Sequence, residues 1–257
     1  SLHDALPISL KASGGVDLAS GEGRFAFRAE RLPLLQRSDQ WLVLSGEGEV
    51  TSGWNFAHLK GRLAADAGFV GLSHTPAPSL GDDVVVQGPA KGGKPAASPF
   101  QMSTDLTINL GDALYVRALG LDTRLAGELS LLSGPGRPLA ATGTIRTVGG
   151  VYEGYGQRLS IERGIITFSG SIANPGLNVI ALRKGLAVEA GVGVGGTARR
   201  PVVRLVSEPN VPDPEKLGWI VFGRPPDQGS GGEMALLLPA AQALLGGSGG
   251  SLPGNIA

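Results

Sequence analysis

The residues whose spacing most suggests chemistry are the glycines at 191–196, which read G-x-G-x-G-G. A dinucleotide-binding loop of this type follows a strand and opens a helix, so that backbone amides face the pyrophosphate. Here the glycines lie inside an alternating apolar run and are followed by Thr197, Arg199 and Pro201. Glycines inside a strand more often mark bends or close backbone approaches. We therefore interpret these residues as part of a strand and expect no cofactor there.

The titratable side chains form no pattern typical of a catalytic or metal site. The three histidines, His3, His58 and His74, are not paired at ligand spacing, and the chain has no cysteine for a thiolate site or a disulfide. Asp82 and Asp83 stand in a turn sequence, where aspartate is common. No G-x-S-x-G, Walker A or zinc signature is present. The sequence therefore predicts a protein that is not an enzyme and that binds neither metal nor cofactor.

Composition favours a chain of many short strands. It contains 42 glycines and 18 prolines among 257 residues, yet 42 % of its residues are hydrophobic, so the glycines are better explained as turns than as disorder. The 22 basic and 22 acidic residues give no net charge, which argues against nucleic acid as a partner. The longest apolar run, from Met234 to Leu245, is too short to span a bilayer.

Alternation of apolar and polar residues is the main structural signal, because a period of two is typical of strands. It predicts strands over residues 24–29, 41–50, 62–70, 100–110, 114–119, 121–131, 139–148, 186–194 and 202–207. Within residues 62–70, Leu63, Ala65, Ala67 and Phe69 are predicted to share one face. Gly111-Asp112 and Gly120 are interpreted as tight turns, so the strands on either side of them are predicted to form an antiparallel meander.

The stretch from Gly149 to Asn178 organises the rest of the chain. Residues 159–162 and 166–169 each alternate apolar and polar side chains, and the Arg-Gly pair at 163–164 between them predicts a hairpin turn. The Asn-Pro-Gly sequence at 174–176 predicts a second turn.

A change of pattern near the C-terminus predicts helices. Asp213-Pro214-Glu215 is a helix start, and apolar residues recur at helical spacing until Gly223. A second helix is predicted from Glu233 to Leu245. The predicted organisation is a non-native or disordered N-terminus at 1–12, an N-terminal β segment at 13–75, a loop-rich joint at 76–99, a core β domain at 100–212, short helices at 213–247 and a disordered tail at 248–257.

A long series of strands with one apolar face must hide that face from water. A sandwich, a closed barrel and a sheet curled into a trough all do so, and periodicity does not choose between them. A trough would leave an apolar groove for lipid or for a substrate strand. Its expected lining is Phe100, Met102, Leu106, Ile108, Leu110, Leu121, Leu125, Leu129, Leu159, Ile161, Ile166, Phe168, Leu186, Val188, Val192 and Val194.

Four segments within residues 142–225 resemble, in order and spacing, the C-terminal domain of the TamB family of diderm bacteria. They are TGTIRTVGGVYEGYGQRLSIERGIITFSG, NPGLNVIALR, VGVGGTARRPVVRLVSEP and PEKLGWIVFGRP. The resemblance implies an all-β fold: a long, curled, antiparallel-rich sheet with a U-shaped apolar groove and one or two short helices near the C-terminus. It also implies a role in the translocation and assembly module, conducting phospholipid between the inner and outer membranes, assisting assembly of outer-membrane proteins such as autotransporters, or both.

The same resemblance implies where the protein acts and with what. The expected partners are phospholipid acyl chains, an Omp85-class outer-membrane protein similar to TamA, and nascent outer-membrane β-strands. The expected location is the periplasm, on a parent chain that is anchored in the inner membrane, reaches the outer membrane and also carries the last strands. Two other hypotheses stay open: a chaperone that pairs nascent strands with a sheet edge without moving lipid, and a structural β-domain of a secreted adhesin.

Overall fold

The computed structural model, which describes residues 8–72, 100–118, 120–154, 156–226 and Pro239, contains one sheet of 12 strands and a helix. The elements are β1 Ser9–Val16, β2 Gly23–Gln36, β3 Gln40–Ser52, β4 Phe56–Leu72, β5 Gln101–Asn109, β6 Leu114–Ala118, β7 Leu121–Ser133, β8 Ala140–Gly154, β9 Gln157–Ser171, β10 Gly176–Leu182, β11 Glu189–Thr197, β12 Arg200–Glu208 and α1 Asp213–Val221. The predicted all-β class, with a long antiparallel-rich sheet and a short helix near the C-terminus, is confirmed.

The strand order is β1-β2-β3-β4-β5-β7-β8-β9-β10-β11-β12, with β6 between β4 and β7. Neighbouring strands are antiparallel, except that β4 runs parallel to both β5 and β6. Because β4 pairs directly with β5, the strands on the two sides of residues 73–99 belong to one sheet. The predicted loop-rich joint itself lies outside the described residues. Residues 9–12, which the sequence assigned to the N-terminal stretch, are part of β1.

The predicted meander is wrong between β5 and β6, because these two strands occupy one position in the sheet, whereas the turn predicted at Gly120 does join the antiparallel strands β6 and β7. β5 pairs with the first half of β4 and β6 with its last residues, and both then pair antiparallel with β7. Gly111, at φ +62°, donates its N–H to Asn109 Oδ1 at 2.8 Å and interrupts the chain without reversing it. A Gly-Asp pair can either reverse the chain or interrupt a strand. The alternation of apolar and polar residues on each side of the pair is the same in both arrangements.

The predicted hairpin at Arg163-Gly164 is also wrong, because β9 runs unbroken from Gln157 to Ser171. Ile180 pairs with Arg163 and the next residue of β10 pairs with Ile161, so Glu162 is an extra residue in a β-bulge. A bulge shifts the alternation by one residue while the strand continues. The phase change that predicted a turn is therefore a bulge. The second predicted turn, at 174–176, does join β9 to β10.

A bulge in β4 likewise corrects the predicted face of residues 62–70. Val43 pairs with Ala67 but Leu44 pairs with Ala65, which leaves Asp66 as the extra residue. Its carboxylate accepts a hydrogen bond from Ser45 Oγ at 2.5 Å. The alternation before and after Asp66 is therefore out of phase, and Leu63 and Ala65 lie on one face while Ala67 and Phe69 lie on the other.

Helix α1 begins at Asp213 and ends at Val221, followed by Gly223 at φ +73°. Leu217 and Ile220, three residues apart, place one side of the helix against the sheet, which is the expected use of an apolar stripe. Among the described residues, no helix is long and apolar enough to cross a bilayer. Apart from Pro239, the second predicted helix and the predicted tail lie outside the described residues.

Candidate functional site

One side of the sheet, called here the apolar face, carries two uninterrupted cross-strand rows of apolar residues. Side chains at paired positions of neighbouring strands lie on the same face. The first row is Leu10, Ala29, Gly46, Leu63, Ile108, Leu129, Gly143 and Phe168. The second row is Ala12, Phe27, Gly48, Gly61, Leu106, Leu131, Ala141 and Gly170. Neither row contains a polar side chain.

These two rows run across the strands, from β1 to β9. With a spacing of about 4.8 Å between strands, each row is roughly 34 Å long. That length is close to the about 30 Å thickness of the hydrocarbon core of a bilayer. Further residues continue the apolar face towards β12, including the paired positions Val179, Val194 and Val203. The face is thus long enough to hold an extended apolar ligand.

Two glycines in the first row are required by the backbone. Gly46 has a φ of +154° and Gly143 a φ of +130°, and a Cβ at either position would collide with a carbonyl oxygen of the neighbouring strand. Glycines of this kind bend a sheet locally and leave no side chain above the backbone. At β3 and β8 the row therefore has no side chain above the backbone, whereas leucine, isoleucine and phenylalanine side chains project from the sheet elsewhere in the row.

The opposite side of the sheet, called here the charged face, has a different character between the same two rows. The residues that lie between the two apolar rows along each strand point to this face and are all polar. They are Lys11, Arg28, Glu47, Arg62, Thr107, Ser130, Thr142 and Ser169. Arg28 Nη2 lies 2.7 Å from Glu47 Oε2. The hydrogen bond between them lowers the pKa of Glu47 and raises the pKa of Arg28. Because successive side chains of each strand alternate between the two faces, this part of the sheet has one apolar surface and one ionic surface.

The cavities on the charged face include one of about 960 Å³ and one of about 550 Å³. The larger one is floored by the backbone around Gly48 and Gly61 and walled by side chains such as Glu47, Lys60 and Asp105. Both are open troughs between rows of exposed ionic side chains. Within the described residues, no group of three or more His, Asp or Glu side chains is arranged to hold a metal ion.

Most of the lining residues predicted from the sequence share the apolar face. Those assigned to it by strand register are Met102, Leu106, Ile108, Leu121, Leu125, Leu129, Leu159, Ile161, Ile166, Phe168, Val192 and Val194. Phe100 and Leu110 flank β5, and Leu186 and Val188 precede β11, so these four lie outside the strands. The predicted lining missed the N-terminal half of the surface. Its signal was present in β2, where Phe25, Phe27 and Ala29 alternate with Arg24, Ala26, Arg28 and Glu30.

Helix α1 covers the apolar face at β11 and β12. Its Leu217 and Ile220 form a buried cluster with Val188, Ala190 and Leu205. Only 1 % of the surface of Ile220 is exposed. Val192 also packs against this cluster, so two of the predicted lining residues, Val188 and Val192, contact the protein's own helix. The open part of the apolar face therefore ends where α1 begins.

Two polar side chains fasten the C-terminal end of α1. Arg183 Nη1 donates hydrogen bonds to the carbonyl oxygens of Ile220 at 2.7 Å and Val221 at 3.3 Å. Gln157 Nε2 donates to the same oxygen of Val221 at 3.3 Å. These bonds satisfy carbonyls that a helix end leaves unpaired. Sequence reasoning did not find this role, because the partners lie far apart along the chain.

Comparison with known proteins agrees with this architecture. The family described as the TamB C-terminal domain matches residues 7–257. The chain is 34 % identical over 189 residues to a protein of Haemophilus influenzae named translocation and assembly module subunit TamB; this covers 68 % of the chain and 14 % of that relative. The chain thus spans a small part of the length of that relative. Since the family match extends over nearly the whole sequence, the chain belongs to the TamB family, through the C-terminal domain of that family.

Proposed function

We propose that this chain is a periplasmic part of the translocation and assembly module in a diderm cell envelope, and that its apolar face conducts phospholipid between the inner and outer membranes. The observation that supports this most is the pair of apolar rows, which cross from β1 to β9 without a polar side chain. On the reverse side of the same strands the corresponding row is entirely polar. Such a surface lets acyl chains lie on one side while water contacts the other.

The energetic reason concerns the acyl chain. Each methylene exposed to water costs about 0.8 kcal/mol, so a chain of about sixteen carbons costs on the order of 12 kcal/mol to move through the periplasm unprotected. A path that keeps these methylenes in contact with apolar side chains removes most of that cost. One charged side chain in the path would restore part of it and would also be poorly solvated itself. The requirement for an unbroken apolar row follows directly.

The proposed shape is a U-shaped groove with the apolar face inside. Register shifts interrupt the pairing of β2 with β3, β3 with β4, β7 with β8 and β9 with β10. Such bulges bend the strand and increase its twist. The strands that end the sheet, β1 and β12, do not pair with each other, so the sheet stays open. In this proposal, lipid leaves the groove before β11, where α1 already covers the apolar face.

The most direct test is photocrosslinking in living cells, with the parent protein intact. A photoreactive amino acid at Phe168, on the apolar face, should yield lipid adducts, and the same amino acid at Ser169, on the charged face, should not. The pair differs by one position along β9 and therefore by face. Equal lipid labelling at both positions, or protein adducts alone at Phe168, would contradict the proposal.

A charge at Phe168 should also block lipid movement. Phe168→Asp places a carboxylate in the first apolar row, and Ser169→Asp adds the same charge on the exposed charged face. We expect the first variant to lose outer-membrane lipid transport in cells while the second keeps it, at equal protein levels. Val192 is unsuitable for this purpose, because it contacts the α1 cluster and a charge there would undock the helix.

A second candidate function is suggested by the two edges of the described sheet. Within the described residues, β1 and β12 each pair on one side only, so their outer backbone groups could accept an added strand of a nascent outer-membrane protein or of a TamA-like, Omp85-class partner. Proline at an outward-facing N–H of β12 would remove a donor without altering the apolar rows. Loss of autotransporter assembly with normal lipid transport would favour this function. The adhesin hypothesis instead requires a filled core and predicts that the purified protein carries no lipid.

A further inference from the structure

The charged face changes in character between its two halves. On β2 to β5, three of the five basic side chains form ion pairs: Arg24 with Glu49, Arg28 with Glu47 and Lys60 with Asp105. On β8 to β12 there are four exposed arginines that form no ion pair with any described residue. We call them the arginine patch: Arg146, Arg163, Arg200 and Arg204. Unpaired guanidinium groups are available for an anionic ligand.

Strand register places the arginine patch on one surface. Arg163 of β9, Ile180 of β10, Gly193 of β11 and Arg204 of β12 occupy one cross-strand row. Gly193 has no side chain, and a Cβ there would lie 3.3 Å from Nε of Arg204, so Arg204 leans over the glycine. Arg146, at the border of the patch, lines the smaller cavity of the charged face, and Arg163, Arg200 and Arg204 line neither of the two cavities described above.

Apolar residues stand among these arginines. Arg146 pairs with Ile165 of β9, on the same face. Val202, between Arg200 and Arg204 on the edge strand β12, exposes 62 % of its surface. A surface that combines guanidinium groups with an exposed apolar side chain suits a boundary between phosphates and hydrocarbon.

The net charge also differs between the two parts of the chain, and the part that carries the arginine patch is the more positive. Residues 134–226 include 11 basic and 6 acidic residues, a net charge of +5, and residues 8–133 include 11 basic and 13 acidic residues, a net charge of −2. An anionic surface therefore attracts the half of the sheet that carries the arginine patch and repels the other half. The neutral total charge conceals this polarity.

We propose that the arginine patch docks this end of the sheet on a bilayer surface containing anionic phospholipid. Arginine forks bind phosphate oxygens in pairs. A bilayer suits arginines spread over β8, β9 and β12 better than a folded partner does, because headgroups present phosphate at every position and need no matching arrangement of acidic groups. The apolar rows lie on the reverse side and stay free, so this docking does not depend on lipid conduction along them.

The test uses the purified 257-residue chain and vesicles of equal parts phosphatidylethanolamine and phosphatidylglycerol. Each arginine near an anionic surface strengthens binding about fivefold, so replacing all four by glutamine should weaken it roughly 600-fold. The control variant removes four positive charges from β2 to β4 instead, by Arg24→Gln, Arg28→Gln, Lys60→Gln and Arg62→Gln. Flotation should recover the native chain and the control variant with the vesicles, but not the patch variant. Added salt should release the native chain.

Several results would overturn the proposal. These are failure of the native chain to float, equal binding to phosphatidylcholine vesicles, and equal losses in the two quadruple variants. Loss of binding in Phe168→Asp but not in the patch variant would assign the contact to the apolar rows. Binding to polyglutamate but not to vesicles would assign the patch to an acidic polypeptide. A dimer in solution that the four replacements dissociate, without vesicle binding, would assign it to a second copy of the chain.

A fluorescent label reports the orientation independently. Because the chain has no cysteine, Val202→Cys provides one labelling site in the patch and Thr51→Cys provides a matched site on the charged face of β3. An environment-sensitive dye should shift to shorter wavelength on the anionic vesicles at Val202 and not at Thr51. Equal shifts at the two sites, or none at Val202, would contradict the proposed orientation.

Discussion

Replacing Arg183 by glutamine should loosen the C-terminal end of α1 from the sheet. The guanidinium donates to the carbonyl oxygens of Ile220 and Val221 at 2.7 and 3.3 Å. Helix α1 has no basic residue in its own last turn, so Arg183 supplies the positive charge that a helix C-terminus favours. A hydrogen bond from a charged donor contributes about 1.5–3 kcal/mol, and we take about 2 kcal/mol for this half-buried side chain.

Hydrogen exchange measures this change locally. The N–H of Phe222, directly after α1, donates to the carbonyl oxygen of Gly218 at 2.7 Å and should be protected as long as the helix is docked. A loss of about 2 kcal/mol corresponds to a roughly 30-fold faster exchange of this amide. Arg163→Gln is the control, because that arginine is exposed and is not one of the residues that hold the end of α1. Unchanged exchange at Phe222 in Arg183→Gln would mean that the apolar cluster alone holds α1, and that the reasoning is wrong.

Two further predictions concern backbone strain and ionisation. Gly143→Ala should destabilise the fold by about 1–3 kcal/mol in urea unfolding, because its positive φ adds to a clash with the backbone of β7, whereas Gly170→Ala, also at positive φ but in open space, should cost less. The pKa of Glu189 is lowered chiefly by its hydrogen bond from Lys184, so this contact stabilises the fold above the ordinary pKa of glutamate and is lost as the pH falls through the lowered value. Lys184→Met should raise the pKa of Glu189 in an NMR titration; an unchanged pKa would contradict the assigned cause.

Much of the sheet could be predicted from alternation alone. Leu121, Leu125 and Leu129 do share one face, and Asp122 and Glu128 do lie on the other. This succeeds because a strand with one apolar face has to repeat with a period of two. The all-β class, and the placement of most of the predicted lining residues on one face, follow from that repeat without knowledge of strand order.

Strand order did not follow from the sequence, because it depends on pairing between distant segments. No local sequence feature of residues 101–118 indicates that β5 and β6 both lie between β4 and β7. The docking of α1 was equally hidden: Leu217 and Ile220 predict an apolar stripe, but not that its partners are Val188 and Leu205. The resemblance to a family favoured a long curled sheet where periodicity left a sandwich, a barrel and a trough open.

The bulges explain why the apolar face is continuous although the sequence changes phase. In β9, Leu159 and Ile161 occupy odd positions and Ile166 and Phe168 occupy even ones, so a regular strand would send the two pairs to opposite faces. The extra residue, Glu162, returns all four side chains to the same face. Continuity of the apolar rows is therefore a property of register as well as of composition. For the same reason, the position of a bulge is as informative about the proposed lipid path as the hydrophobic residues that line it.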